Sequence, residues 1–143
     1  MKFWDSSALL PLAVEEARSK WCRSLRRADP DIVVWVLTRV ELVSALHRLV
    51  RQGSLTRIDV TTAQRRISQY ARSWTAVEGI SQVAERAERL LAVHPLAAAD
   101  ALQLGAALVA CKEQPRGKGF VTADARLATA AAAEGFAALA PRE

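Results

Sequence analysis

Ile32-Val33-Val34-Trp35-Val36 is an unbroken apolar run, largely β-branched, with no polar face to offer to water. A strand wetted on one side alternates apolar and polar residues. A continuous run of this kind suits a strand covered on both faces, as in a parallel sheet with helices above and below. Lys2–Trp4, Phe120-Val121-Thr122 and a segment near Phe136–Leu139 read as further short strands. Helical patterns fill the intervals. Asp5-Ser6-Ser7 opens a short helix through Leu12, followed by Glu15–Arg27, Thr38–Gln52 stopped by Gly53, and Thr56–Trp74. Ser81–Ala92 ends at His94-Pro95, and Ala97–Cys111 and Ala125–Glu134 complete the set. Strands alternating with helices predict an α/β fold: a short parallel sheet flanked by helices on both faces. There is no repeat, linker or compositional break, so residues 1–143 are expected to form one domain. In such sheets ligands bind beyond the carboxyl ends of the strands.

That edge collects acids. Asp5 follows the first strand and Asp124 follows Phe120-Val121-Thr122. Glu41 lies in the first turn of the helix that follows Val36. Asp100 shares a stripe with Leu96, Leu104 and Leu108 in the most apolar helix, with only alanine and leucine beside it. Simpler roles exist for three of the four. Asp5 and Asp124 fit helix N-caps, and Thr38-Arg39-Val40-Glu41 fits a capping box. Asp100 has no such alternative, and a buried charge needs a partner or a metal. A carboxylate cluster repels itself unless a cation neutralises it, and hard divalent ions such as Mg²⁺ or Mn²⁺ take oxygen ligands. These ions activate water and neutralise phosphate in phosphodiester hydrolysis. His47 and His94 are isolated, and no nucleophile triad, P-loop or dinucleotide motif competes.

A formal net charge of +5 points to a polyanionic partner without choosing among nucleic acid, membrane surface and acidic protein. Arg23, Arg26, Arg27, Arg65, Arg66 and Arg72 are candidates for a nucleic-acid face, or simply a solvated one. Trp4, Trp21 and Trp35 read as core, and Trp74 is open. Cys22 and Cys111 are far apart and lack metal-ligand spacing, as expected of reduced thiols in a cytoplasmic protein. The apolar run Ala8–Val14 is too short to span a membrane, so no membrane association is expected.

The segments Phe3-Trp4-Asp5-Ser6-Ser7-Ala8-Leu9, Thr38-Arg39-Val40-Glu41-Leu42, Ala98-Ala99-Asp100-Ala101-Leu102-Gln103-Leu104 and Phe120-Val121-Thr122-Ala123-Asp124-Ala125-Arg126-Leu127, in this order, resemble a PIN domain, and within that family the VapC-type toxins. The resemblance implies that Asp5, Glu41, Asp100 and Asp124 converge on one or two Mg²⁺ or Mn²⁺ ions, with Ser6, Ser7 and Thr122 as supporting hydroxyls. It further implies a ribonuclease acting on RNA, commonly a homodimer, and inhibited by a cognate antitoxin protein. One position departs from the pattern: Ala97 stands where these toxins often carry arginine. A receiver-like domain would want paired acids after the first strand and a late lysine. A haloacid-dehalogenase-like phosphatase would want an acid at Ser7. The remaining alternatives are a housekeeping RNA- or DNA-processing nuclease and a non-catalytic nucleic-acid-binding or regulatory module.

Overall fold

Five strands, β1 (Lys2–Trp4), β2 (Ile32–Trp35), β3 (Thr75–Val77), β4 (Gly119–Val121) and β5 (Ala137–Leu139), form one sheet in the order β3-β2-β1-β4-β5 in the computed structural model, which describes residues 1–142. Every pairing is parallel. Seven helices connect them: α1 (Ser6–Ala13), α2 (Ser19–Ala28), α3 (Thr38–Arg51), α4 (Arg57–Ala71), α5 (Ile80–Leu91), α6 (Ala98–Ala110) and α7 (Ala125–Glu134).

Successive strand residues point to opposite faces, and here they feed two separate cores. Phe3, Val33, Trp35 and Phe120 pack with residues of α5, α6 and α7. Trp4, Val34 and Val121 pack with residues of α1 to α4. The apolar run that opened the sequence therefore has no polar side because both of its sides are interior. In one core, Phe3 and Phe120 stack with ring centroids 5.4 Å apart. α6 also lies close against α5 there, and a Cβ at Gly105 would meet the Val83 carbonyl at 3.2 Å.

Two expectations need correction. The helix expected from Glu15 starts only at Ser19, because the buried Ser19 hydroxyl accepts from the Glu16 N–H (2.8 Å) and donates to the Val14 carbonyl (3.1 Å), fixing a turn instead. The edge strand β3 falls where no strand was expected, and the helix before it stops at Ala71 rather than Trp74. The strand has three residues, with Thr75 exposed, so no apolar run announces it. No helix is long and apolar enough to cross a membrane among the described residues.

In a sheet of this order the chain winds outwards in both directions from β1 and β4. Helices leave the neighbouring strands β1 and β4 at this switch point, and a crevice opens at their carboxyl ends. Asp5 and Asp124 lie there.

Candidate active site

Asp5 occupies the N-cap position of α1 but its side chain caps nothing. The carboxylate is 3% exposed and accepts instead from the hydroxyls of Ser7 and Thr122, the latter at 2.9 Å. Ser7 in turn accepts from the Ala123 N–H at 2.9 Å, and Thr122 from the Asp124 N–H at 3.0 Å. The β4–α7 turn is thus tied to the end of β1. Burial raises the proton affinity of Asp5, and the Ser7 and Thr122 hydroxyls act against it.

Glu41 does not close a capping box. Leu37, not Thr38, is the N-cap of α3, and it makes no side-chain cap. The Glu41 carboxylate accepts from Ser6 Oγ at 2.8 Å and from Gln103 Nε2 at 3.1 Å. Ser6 also lies 3.4 Å from Asp5 Oδ1, so it bridges the two acids. Gln103 is fully buried and donates to Thr38 Oγ1 at 3.1 Å, while its Oε1 finds no partner. This glutamine was not singled out from the sequence. The available signal was an amide in the most apolar helix, one turn after Asp100.

Asp124 does cap α7, its Oδ1 accepting from the Leu127 N–H at 3.0 Å, so the simpler role for this residue is real. Asp100 is half-buried in the first turn of α6, less enclosed than its leucine stripe suggested. Partial burial, then the charges of Asp124 and Asp5, push its carboxyl up to about 6. Glu41 is likewise raised by burial and, less strongly, by Asp5 and Asp100. These mutual shifts mean that the acids feel one another. No ion pair among the described residues reaches any of them.

The donor set is hard oxygen throughout, which suits Mg²⁺ or Mn²⁺ and not a soft metal. It is sparse: among the described residues no three of His, Cys, Asp or Glu stand close enough to hold a metal ion by themselves. Mg²⁺ keeps much of its water and uses one or two protein carboxylates plus substrate phosphate, so a sparse set fits it in kind.

The PIN domain family profile matches residues 2–137. The chain belongs to the PIN domain family. The crystal structure of PAE2754 from Pyrobaculum aerophilum is similar in fold, with a TM-score of 0.63 at 21% identity, covering 97% of this chain and 87% of that one. No curated protein matches the chain significantly. The PIN fold is a nuclease fold, and its members generally depend on divalent metals.

The sequence-derived basic face is partly spent within the molecule. Arg23 pairs with Glu15 at 2.7 Å, Arg26 lies 4.9 Å over the Tyr70 ring, and Arg66 donates to the Ala13 carbonyl at 3.1 Å. Trp4 and Trp35 are core, whereas Trp21 and Trp74 are only partly buried.

Proposed function

We propose that this PIN-domain chain is a Mg²⁺- or Mn²⁺-dependent endoribonuclease and the toxin of a toxin–antitoxin pair. In this reading residues 1–143 form one nuclease domain that works as a homodimer in the cytoplasm and is silenced by a cognate antitoxin protein. The observation that carries the nuclease reading is the group of uncompensated carboxylates at the β1/β4 switch point. Burial raises Asp5, Glu41 and Asp100, the charges of neighbouring acids raise Glu41 and Asp100 further, and no ion pair among the described residues reaches them. The toxin assignment rests on the four segments that resemble VapC-type toxins.

Asp5, Glu41, Asp100 and Asp124 would hold the ion, which when bound supplies an activated water and neutralises charge on the phosphate. Ser7 and Thr122 aim the Asp5 carboxylate and favour its ionised form against burial. Ser6 and Gln103 fix both oxygens of Glu41, so neither acid has to reorganise when the substrate arrives. Asp124 caps α7 with one oxygen, leaving the other for the centre. An antitoxin arginine in this acidic crevice would pair with the carboxylates bidentately and keep metal out.

The test is cleavage of RNA by purified protein with Mn²⁺, with EDTA, and as Asp100→Asn. Cleavage should need metal and vanish in the variant. Cutting that ignores chelation would overturn the mechanism. A native protein always isolated free of a small partner would remove the toxin role and leave a processing nuclease.

A further inference from the structure

Two grooves leave the crevice and meet at one residue. The first, of ≈ 540 Å³, runs between α1 and α3 past Ser6, Glu41, Ala45 and Arg48 to Arg18. The second, of ≈ 620 Å³, starts at the same Arg18 and passes Trp21, Ala123, Ala125 and Arg142. Glu41 lines the first groove, and Ala123 and Ala125, the chain neighbours of Asp124, line the second, so each groove borders a candidate acid. Each groove is large enough for a nucleotide-sized group.

Their chemistry is complementary to a polyanion. Arg48 is exposed and enters no ion pair among the described residues, nor does Arg142. Arg18 is half-exposed and only 4.0 Å from Glu16 at its nearest. Arg48 follows Glu41 by two helical turns on the same side of α3, about 10 Å along the axis. Arg48 thus lines the first groove beside Glu16 and Glu41, Arg142 lines the second, and Arg18 lines both. Trp21 packs against the α1–α4 core, is only partly buried, and lines a groove whose other walls include Ala17, Ala123, Ala125 and Ala140. An indole beside small side chains has room for a flat group against it.

We propose that the two grooves form one track for a single-stranded nucleic acid, in which Trp21 stacks an unpaired base next to the cleavage point and Arg18 holds the backbone where the grooves join. The proposal rests on the nuclease reading and adds the residues that hold the strand. A duplex keeps its bases stacked on one another, so only an unpaired base can use the indole face, and stacking of this kind tolerates any base.

The test is binding in EDTA, which separates it from cutting. Oligouridine is titrated against the protein while tryptophan fluorescence and the anisotropy of a labelled strand are followed. Trp21→Leu should weaken binding about tenfold, the equivalent of one lost base stack. Trp21→Phe, which keeps an aromatic face, should retain most of it. Arg18→Ala at an exposed position should weaken binding and reduce the salt slope by about one unit. Replacing single bases by abasic sites should reveal one position at which wild type loses affinity and Trp21→Leu does not. A folded Trp21→Leu that binds oligouridine as tightly as wild type overturns the track while leaving the nuclease standing. A wild type that neither binds nor cuts any strand overturns both. An unchanged fluorescence on saturation with RNA would mean that the Trp21 groove serves another partner, such as a protein segment, and would overturn the track as well.

Discussion

The same four-residue pattern begins two consecutive helices and does opposite things. Thr56-Arg57-Ile58-Asp59 opens α4 as a complete capping box. Thr56 Oγ1 accepts from the Asp59 N–H at 3.2 Å, and Asp59 accepts from the Thr56 N–H at 2.8 Å. Thr38-Arg39-Val40-Glu41 opens α3, yet Thr38 is already helical and fully buried, and Glu41 turns to Ser6 and Gln103. Position in the sheet decides between them. α4 starts from an exposed turn, where water competes for nothing else and the local bonds win. α3 starts at the carboxyl end of β2, where α1 and α6 bring a hydroxyl and an amide within reach of the acid. The proton affinities follow: backbone and hydroxyl donors of Thr56 lower Asp59, while burial raises Glu41. An acid held below its ordinary value stabilises a helix. One held above it, with other acids beside it, is a group that gains when a cation arrives.

The sharpest way to break the contrast is to neutralise both acids in parallel. Glu41→Gln should lower metal-dependent RNA cleavage at least about a hundredfold, since even outer partners of metal ligands are worth about 10–100-fold. Its metal-free melting temperature should hold or rise, because a repelled charge is removed. Asp59→Asn should cut RNA like wild type. Equal activity in the two variants would erase the functional difference between the helices.

Gln103→Leu asks whether Glu41 needs its holder. The substitution removes the donor to Glu41 and Thr38 while filling a similar volume in α6. Cleavage should fall about 10–100-fold, mostly in kcat, as expected for loss of a group that positions a ligand. Gln103→Glu should do no better, since it adds a further acid to the cluster. A Gln103→Leu enzyme with full kcat would confine Gln103 to packing.

How far the sequence carried depends on whether the deciding forces are local. The sheet with helices on both faces was legible because Ile32–Val36 is apolar on both sides, and the two cores explain why. Asp5 and Asp124 were placeable because chain order alone puts them after strands. Glu41 was assigned to the cluster only together with the other acids, since its capping box is a sound local solution that only the packing of α1 and α6 defeats. β3 was missed because three residues at a sheet edge, one of them exposed, carry no periodicity to detect. Gln103 was passed over because its two partners lie 62 and 65 residues away in sequence.

Acidity should separate the two kinds of acid in one melting experiment without metal. Asp5, Glu41 and Asp100 bind protons more tightly folded than unfolded, so stability falls as pH rises through the window between ordinary and raised values. For Asp100 that is from 3.8 to about 6. Asp59 and Asp29 run the other way: Asp29, held near 2 by the terminal amine and Lys2, and Asp59 lend stability that disappears only below pH 4. Metal-free protein should therefore melt several degrees higher at pH 5 than at pH 7. Added Mn²⁺ should recover the loss at pH 7 by binding the folded state, and Asp100→Asn should flatten the slope. Stability that climbs steadily from pH 5 to 7 without metal would mean that the cluster is not under repulsion.

The smallest effect belongs to the helix that only caps. Thr56→Ala removes the hydroxyl that accepts from the Asp59 N–H and leaves that donor to water at an exposed site. Loss of an N-cap hydroxyl costs about 1 kcal/mol, and for a chain of this size that is roughly 4 °C in melting temperature. Thr56→Ser keeps the acceptor and should recover most of the loss, which separates the hydrogen bond from the methyl group. Thr56→Gly should cost only a few tenths of a kcal/mol, because glycine leaves the cap exposed to water and adopts the extended geometry freely. None of the three should change cleavage more than about twofold, since α4 contributes no acid to the crevice and its cap is local. The matching change at α3 supplies the control. Thr38→Ala deletes one of the two acceptors of the buried Gln103 amide, so its cost should appear in stability and in cleavage together. A Thr56→Ala protein that loses activity in step with Thr38→Ala would show that the two helix starts are coupled, and the opposition between them would fail at its weaker end.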